Sequence, residues 1–323
     1  MRRRAFLLGC AAAACPRPGL TQGRRAPARV GFLALGSPAV AERRLRSFRQ
    51  GLADLGLQEG HDYGIDARVA GADPDALNRA AADLAASAPD VLVTHATGTA
   101  AMRRATGTIP IVMVSGDAVT TGLVASLQRP GGNVTGVSFL SPELMAKRTE
   151  LLKEVLPAIE EMGLLALGGG YRVTDTVVQA VEAVARGRGM GLQPALVRNP
   201  ADIERAFADW AARRVRGIVV QDEPMLIANA RRIVESATAR GILAVGFLEL
   251  AAQGGHVAYS INFDAVWQRV ASFAAKILQG ARPEDLPVEQ PNRFELVVNL
   301  KALRGLNIDA PTALLARADE VIE

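Results

Sequence analysis

Short apolar segments alternate with longer amphipathic segments along the chain from residue 29 onward. The first unit combines a predicted strand at residues 30–35 with a predicted helix that ends near Gly56. Within this helix, apolar side chains recur at spacings of three and four residues, with charged side chains between them. Such alternation of β-type and helical segments is typical of parallel sheets that are covered by helices on both faces.

The alternation occurs in two successive blocks. In the first block, strands are predicted at residues 30–35, 63–69, 91–94, 111–114 and 134–137. In the second block, they are predicted at residues 164–167, 194–197, 217–220, 244–247 and 257–260. A third stretch, with a helix at 264–278, a strand at 294–300 and a final helix, is too short to fold alone and should complete the lobes. The predicted fold is therefore α/β, with two doubly wound parallel-sheet lobes around a cleft.

Two helix starts carry sequence signals of their own. Asp73 stands directly before Pro74, and Ser141 stands directly before Pro142. Asp and Ser side chains satisfy free backbone N–H groups at a helix start, and Pro fits the first helical position. We therefore predict that Asp73 and Ser141 are the N-caps of two helices.

Composition and charge exclude several classes of protein. With 323 residues, of which 49% are hydrophobic and 22% charged, the chain can bury a large core and is not intrinsically disordered. The formal net charge is +4, and the leader arginines 2, 3, 4 and 17 account for all of it. The rest of the chain is neutral, so we expect no nucleic-acid partner and disfavour a DNA-binding regulator.

The first residues are typical of an export leader. Arginines at positions 2–4 precede an apolar run at 5–15. This run is too short to span a membrane, because a membrane-spanning helix needs about 20 residues. Residues 3–7 resemble a twin-arginine signal, and we leave open whether export follows that route or the general secretory one. Cys10 lies in a segment similar to a lipoprotein box, although a soluble product is favoured because the apolar stretch before it is very short. We assign residues 1–28 to signal and linker, and the mature protein to the periplasm or another extracytoplasmic location.

Cysteine and histidine positions argue against several kinds of chemistry. Cys10 and Cys15 are the two cysteines of the chain, and both lie in the leader. Disulfides, thiolate catalysis and cysteine-ligated metals are therefore excluded from the body. His61, His95 and His256 lack the spacing of a metal site. Because the sequence also lacks the common hydrolase, nucleotide-binding and metalloprotease motifs, we expect no cofactor and no catalysis.

The candidate ligand-binding residues lie in turns at predicted strand ends, because ligands of doubly wound sheets bind beyond the carboxyl ends of the strands. Asp117 and Asp222 are candidates for holding an ammonium group, with helix capping as the alternative role. Hydroxyl groups near predicted helix starts are candidates for an anion or, again, for capping. Among several aromatic candidates for an apolar ligand group we favour Phe247. The full predicted site comprises Ser37, Thr97, Gly98, Thr99, Ser115, Asp117, Phe139, Asp222, Phe247 and Asn262.

Three segments carry a resemblance to a known family. Residues 129–138, 143–153 and 286–323 resemble the substrate-binding proteins of ABC transporters, of the tryptophan/tyrosine-type or uncharacterised group. The resemblance implies a type I periplasmic-binding-protein fold with three interlobe crossings, near 139–141, 260–263 and 290–294. It places residues 29–139 and 262–290 in an N-terminal lobe, and residues 140–261 and 291–323 in a C-terminal lobe. The turns at 95–99 and 168–170 depart from the family pattern. The resemblance to aromatic-amino-acid binders therefore does not identify the ligand of this protein.

The resulting hypothesis is an extracytoplasmic solute-binding protein of an ABC importer. It would capture a small polar solute, such as an amino acid, by hinge closure, and present it to a membrane permease. We expect a monomer. The alternative is a ligand-sensing receptor of the same fold that signals to a membrane protein, and the sequence does not separate the two.

Overall fold

The computed structural model describes residues 26–71 and 73–323. The predicted export leader, including Cys10, lies outside the described residues. The eleven predicted strands all form, in two mostly parallel sheets whose central strands are buried and whose strands β2 and β7 are partly exposed.

The first sheet has five parallel strands in the order β2-β1-β3-β4-β5. Their bounds are β1 Ala28–Leu35, β2 Tyr63–Ala70, β3 Val91–His95, β4 Ile111–Ser115 and β5 Val134–Ser138. The helices between them are α1 Pro38–Asp54, α2 Pro74–Ala86 and α3 Thr97–Ala105. We call this sheet with its helices the first lobe.

The second sheet has seven strands in the order β12-β11-β10-β9-β8-β6-β7. Its strands are β6 Glu161–Leu167, β7 Gly191–Val197, β8 Gly217–Val220, β9 Leu243–Gly246, β10 Val257–Ile261, β11 Phe294–Asn299 and β12 Glu320–Ile322. β10 and β11 are antiparallel, and the other pairs are parallel.

The helices of this second half are α4 Ser141–Val155, α5 Arg172–Gly187, α6 Pro200–Ala212, α7 Pro224–Ala228, α8 Ala230–Ala239, α9 Leu248–Ala252, α10 Phe263–Leu278, α11 Leu300–Gly305 and α12 Thr312–Leu315. All of them except α10 belong with the second sheet to what we call the second lobe. Helix α10 follows β10 in the chain but packs on α1, so it belongs to the first lobe.

Each lobe has its core on both faces of its sheet. In the first lobe, Phe32 of β1 packs against Phe48 of α1 and Trp267 of α10, with ring centroids 5.5 and 5.3 Å apart. The opposite face is covered by α2 and α3 through residues such as Leu84 and Met102. Burial on both faces explains why central strands such as β1 and β4 are largely continuous apolar runs instead of alternating ones.

Three segments connect the lobes. One joins β5 to α4, one joins β10 to α10, and one precedes β11. In the third, Glu289 lies beside β5, where its N–H donates to the Gly136 carbonyl and its carbonyl accepts from Ser138, both at 2.9 Å. The fold is thus a two-lobed α/β structure with three interlobe crossings. Our assignment of residues 29–139 plus 262–290 and of 140–261 plus 291–323 to the two lobes stays a prediction.

One local prediction was wrong. Ser141 is not the N-cap of α4, because Leu140 occupies that position with φ 50° and Ser141 N–H donates to the Gly116 carbonyl at 2.6 Å. The predicted final helix forms, although not as a single helix. Asn307 at φ 56° and Pro311 break it into α11 and α12, and β12 then pairs with the edge of β11. The predicted cap Asp73 is confirmed, with its carboxylate accepting from Asp75 N–H at 3.0 Å.

Candidate ligand-binding cleft

A cavity of about 300 Å³ lies between the lobes, at the carboxyl ends of their strands. The first lobe contributes Thr97 and Ser115, which follow β3 and end β4. The second lobe contributes Tyr171 and Glu223, which follow β6 and β8. Parallel strands place such residues at one edge of each sheet, and the two edges face each other here.

The lobes are in contact on both sides of this cavity. On one side, a Cβ on Gly36 would lie 3.3 Å from the Pro224 carbonyl oxygen. On the other side, a Cβ on Gly116 would lie 3.2 Å from Val173 Cγ2. Glycine at both positions therefore allows the lobes to close on each other.

Arg44 of α1 is the buried cation of the cavity, with 6% of its surface exposed. Its Nη1 lies 2.8 Å from His95 Nε2 and donates to the Leu35 carbonyl at 3.2 Å. Burial lowers the pKa of Arg44 to about 10, so the guanidinium stays charged at neutral pH. Within the described residues, Arg44 Nε and Nη2 have no hydrogen-bond partner and Arg44 has no ion pair. These donors are available to an anionic group in the cavity.

His95 holds Arg44 in place and is neutral. Its Nε2 accepts a hydrogen bond from the Leu35 N–H at 3.0 Å, which assigns the ring proton to Nδ1. Burial, together with the neighbouring Arg44 charge, keeps the pKa of His95 well below its usual range. His95 therefore adds no charge to the cavity, and Arg44 is the buried one of the three arginines that line it.

Glu223 is the buried carboxylate that faces Arg44 from the second lobe. Its side chain lines the cavity, and the residue is 7% exposed. The carboxyl group of Glu223 has no hydrogen bond or ion pair within the described residues. Burial, and secondarily the charge of Asp222, raises the pKa of Glu223 to about 8, while Arg44 acts in the opposite direction. An approaching cation would favour the ionised carboxylate.

Asp222 stands next to Glu223 but has a different environment. Its carboxylate forms a two-pronged ion pair with Arg148 of α4, with Nη2 2.9 Å from Oδ1, and both side chains are fully buried. Ser260 Oγ donates to the same carboxylate at 2.8 Å. These bonds occupy Asp222, so Glu223 is the acidic group left for a ligand.

Aromatic and aliphatic side chains form the rest of the wall. Phe139 and Phe263 come from two interlobe crossings and meet edge to face, with ring centroids 5.6 Å apart. Trp267 of α10 also lines the cavity, and its buried Nε1–H has no hydrogen-bond partner within the described residues. The cavity therefore combines a buried cation, Arg44, and a buried carboxyl group without an ion pair, Glu223, with a largely apolar surface, and the exposed Arg104 and Arg172 also lie on its wall.

The structure brings five of the ten predicted site residues to the cleft. Thr97, Ser115 and Phe139 line the cavity, and Asp222 borders it with its carboxylate engaged by Arg148. Ser37 caps α1 and lines an adjoining cavity of about 740 Å³, which Thr97 also borders. Ligand contact by these residues stays a prediction.

The other five predicted residues have structural roles away from the cavity walls. Phe247 is fully buried in the core of the second lobe, and Thr99 is fully buried within α3. Gly98 lets α3 approach β3, since a Cβ would lie 2.3 Å from Thr94 Oγ1. Asp117 accepts from Thr120 N–H at 3.0 Å, and Asn262 caps α10. We leave these five out of the site proposed below.

Sequence reasoning missed the two buried charged residues of the cavity that lack ion pairs, Arg44 and Glu223. Arg44 belongs to the buried face of α1, between Ala41 and Phe48, and this helical spacing could have identified it. Adjacent carboxylates such as Asp222 and Glu223 usually leave one of the two exposed to solvent. Here both are buried, since Arg148 neutralises Asp222.

Within residues 26–71 and 73–323, no cluster of three or more His, Cys, Asp or Glu side chains is arranged to hold a metal ion. In the same part of the chain, no helix combines the length and apolar character needed to cross a bilayer.

Known proteins resemble this chain in sequence and in structure. The sequence model of a family described as ABC transporter substrate binding protein matches residues 35–322. A tyrosine-binding protein from Clostridioides difficile is 24% identical over 293 residues, which cover 85% of this chain and 80% of that protein.

Two solved structures have similar folds. A conserved domain protein from Vibrio cholerae superposes with a TM-score of 0.85 and 27% identity, covering 91% of this chain and 99% of its own. An ABC domain from Streptococcus pneumoniae in complex with L-Trp superposes with a TM-score of 0.84 and 24% identity, covering 92% of this chain and 100% of its own.

Proposed function

Because this chain belongs to the ABC transporter substrate-binding protein family, we propose that it captures an α-amino acid with an apolar or aromatic side chain in its interlobe cleft. The family is one of solute-binding proteins and not an enzyme class. Its members are extracytoplasmic, and the proposed role is delivery of the ligand to a membrane permease by a monomeric, periplasmic receptor.

The observation that carries the proposal is the pairing of Arg44 and Glu223 across one cavity. One is a guanidinium and the other a carboxyl group, they come from different lobes, and neither has an ion-pair partner within the described residues. An α-amino acid has both complementary groups, a carboxylate for Arg44 and an ammonium for Glu223. Since each contact involves a different lobe, the ligand would stabilise the closed form over the open one.

The apolar wall supports the choice of side chain. Phe139, Phe263 and Trp267 surround space that a charged or strongly hydrophilic group would occupy at a desolvation cost. A relative is named as a tyrosine-binding protein, and one similar structure holds L-Trp, which agrees with an aromatic ligand.

The test is a thermal-shift screen of the purified protein, followed by calorimetric titration of the hits. The panel contains the proteinogenic amino acids, simple sugars and nucleosides. An amino acid at about 100 times its dissociation constant should add about 2.7 kcal/mol of stability and raise the melting temperature clearly. A stabilising sugar with no stabilising amino acid would overturn the proposal.

A further inference from the structure

A second cavity of about 740 Å³ opens directly beside the first. The two cavities share wall residues from both lobes, among them Thr97, Tyr171 and Glu223. Arg44, in contrast, lines the first cavity alone. A ligand whose carboxylate is held by Arg44 and whose amine lies near Glu223 would thus have its amine end at the boundary with the second cavity.

The boundary is thin at the glycine turn of residues 168–170. Gly168 and Gly169 line the second cavity, and Gly170 lines the first. A Cβ on Gly170 would meet nothing within 4 Å, so a side chain there would occupy open space. A Cβ on Gly168 would lie 2.8 Å from the Leu196 carbonyl oxygen and 3.3 Å from Arg198 Cγ. Three glycines therefore keep this wall free of side chains and let Arg198 lie against it.

Arg198 gives the second cavity a charge of its own. It is exposed, it lines that cavity, and its guanidinium has no ion pair or hydrogen bond within the described residues. The acidic residue that lines the same cavity is Glu223, at the boundary. Asn229 also lines this cavity, and its Nδ2 donates one of its two N–H groups to the Met225 carbonyl at 2.8 Å, so the other N–H has no protein partner within the described residues. This arrangement suits a polar group that carries a negative charge.

We propose that the cleft also takes a dipeptide whose C-terminal apolar or aromatic residue fills the first cavity and whose acidic first residue extends into the second, toward Arg198. The inference rests on the proposed function, because it uses the same contact of Arg44 with a ligand carboxylate. The peptide N–H or the N-terminal ammonium then lies beside Glu223. The first cavity alone is small, at about 300 Å³, and the second supplies the space for another residue.

The experiment is calorimetric titration of the full protein with tyrosine, Glu-Tyr and Ala-Tyr. Glu-Tyr should bind at least as tightly as tyrosine and about threefold to tenfold more tightly than Ala-Tyr. Arg198→Ala should abolish the difference between the two dipeptides and leave tyrosine binding unchanged, because Arg198 does not line the first cavity. Arg232→Ala is the matched control, since Arg232 is an exposed arginine of the same lobe that lines neither cavity.

The outcomes separate this inference from the proposed function. If tyrosine binds and both dipeptides fail to bind, the inference is overturned and the proposed function stands. Dipeptide binding with no preference for Glu-Tyr, or with a preference that survives Arg198→Ala, overturns the assignment of Arg198. Absence of binding by tyrosine and both dipeptides overturns this inference, and the screen of all proteinogenic amino acids decides the proposed function separately.

Discussion

Arg148 and Asp222 form a fully buried ion pair beneath the cleft, and Arg148 also donates to backbone carbonyls of β8 and β10, the strands on either side of β9. Its Nε bonds to the Tyr259 carbonyl at 2.8 Å and its Nη1 to the Val220 carbonyl at 2.7 Å. One side chain of α4 thus fixes the end of β8 and the middle of β10, and the wall of the cleft begins where β8 ends. The pair positions Glu223 because Asp222 precedes it directly.

Asp222→Asn should therefore destabilise the protein more than it alters ligand specificity. The change leaves the Arg148 charge buried without compensation, which typically costs about 3–5 kcal/mol. Urea unfolding measures the loss, and Asp209→Asn, at an exposed position on α6, is the control. Unchanged stability combined with lost amino-acid binding would instead identify Asp222 as a ligand contact.

Arg44→Lys should weaken amino-acid binding by about tenfold to 100-fold. The substitution keeps the charge but removes the planar donor arrangement, and a charge-assisted hydrogen bond is worth about 1.5–3 kcal/mol. Calorimetric titration with tyrosine and with tyrosinamide tests the contact, because the amide lacks the carboxylate. The wild-type protein should prefer tyrosine, and the variant should lose most of that preference. Arg46→Lys, on the exposed face of α1, should behave as wild type. An equal loss of affinity for both compounds would contradict the assignment.

Glu223→Gln should change how stability depends on pH. In the ligand-free protein the pKa of Glu223 is about 8, so the folded state keeps a proton that the unfolded state releases above about pH 4.3. The contribution of Glu223 to the stability of the wild type therefore falls as the pH rises from about 4.3 to about 8. Glutamine removes this fall, and we expect a gain of the order of 1–3 kcal/mol at pH 8 in urea unfolding. The same gain at pH 4 would show that the effect is not one of ionisation.

Amino-acid affinity should rise with pH over the same range. A ligand ammonium favours ionised Glu223, and Arg44 supports that ionised form while Asp222 opposes it. Below pH 8, binding must release a proton, so affinity should increase by up to about tenfold per pH unit between about pH 6 and 8. Titration calorimetry in buffers of different ionisation enthalpy counts the released proton. A wild-type affinity that does not change with pH would refute this coupling. Glu223→Gln is the control, because its affinity should stay constant over the same pH range.

Gly116→Ala should weaken ligand binding by hindering closure. Its Cβ would approach Ser141 Cβ to 3.1 Å and Val173 Cγ2 to 3.2 Å, across the rim of the cleft. Overpacking of this kind costs about 1 kcal/mol or more, which is at least about fivefold in affinity. Small-angle scattering with ligand should show a larger radius of gyration than for the wild type, and Val173→Ala should restore part of the affinity. Gly107→Ala, with no atom within 4 Å of the new methyl group, is the control.

The fold could be predicted from sequence because its signals are local. Strands such as β3 and β4 are buried on both faces, so each appears as a continuous apolar run. The position of the cleft followed from the same pattern, since Thr97, Ser115 and Phe139 lie near strand ends. The pattern of strands and helices therefore predicted where in the structure the ligand-binding cleft forms.

The charged groups of the site could not be predicted in the same way, because their roles depend on distant partners. Arg43 and Arg44 are neighbours in sequence, yet Arg43 forms an exposed ion pair with Asp264 and Arg44 is buried beside His95. Asp222 and Glu223 differ in the same manner, through the contact of Asp222 with Arg148 from α4. Such differences arise only when residues far apart in the chain are packed together.

The two tryptophans of the chain occupy separate environments, which makes them natural optical reporters of different events. Trp267 borders the cavity, whereas Trp210 is buried in the second lobe with its Nε1–H donating to the Gln193 carbonyl at 3.0 Å. In a Trp210→Phe background, emission from the remaining indole would report occupancy of the cleft directly. The reciprocal Trp267→Phe background would leave a fluorophore that responds to loss of packing in the second lobe.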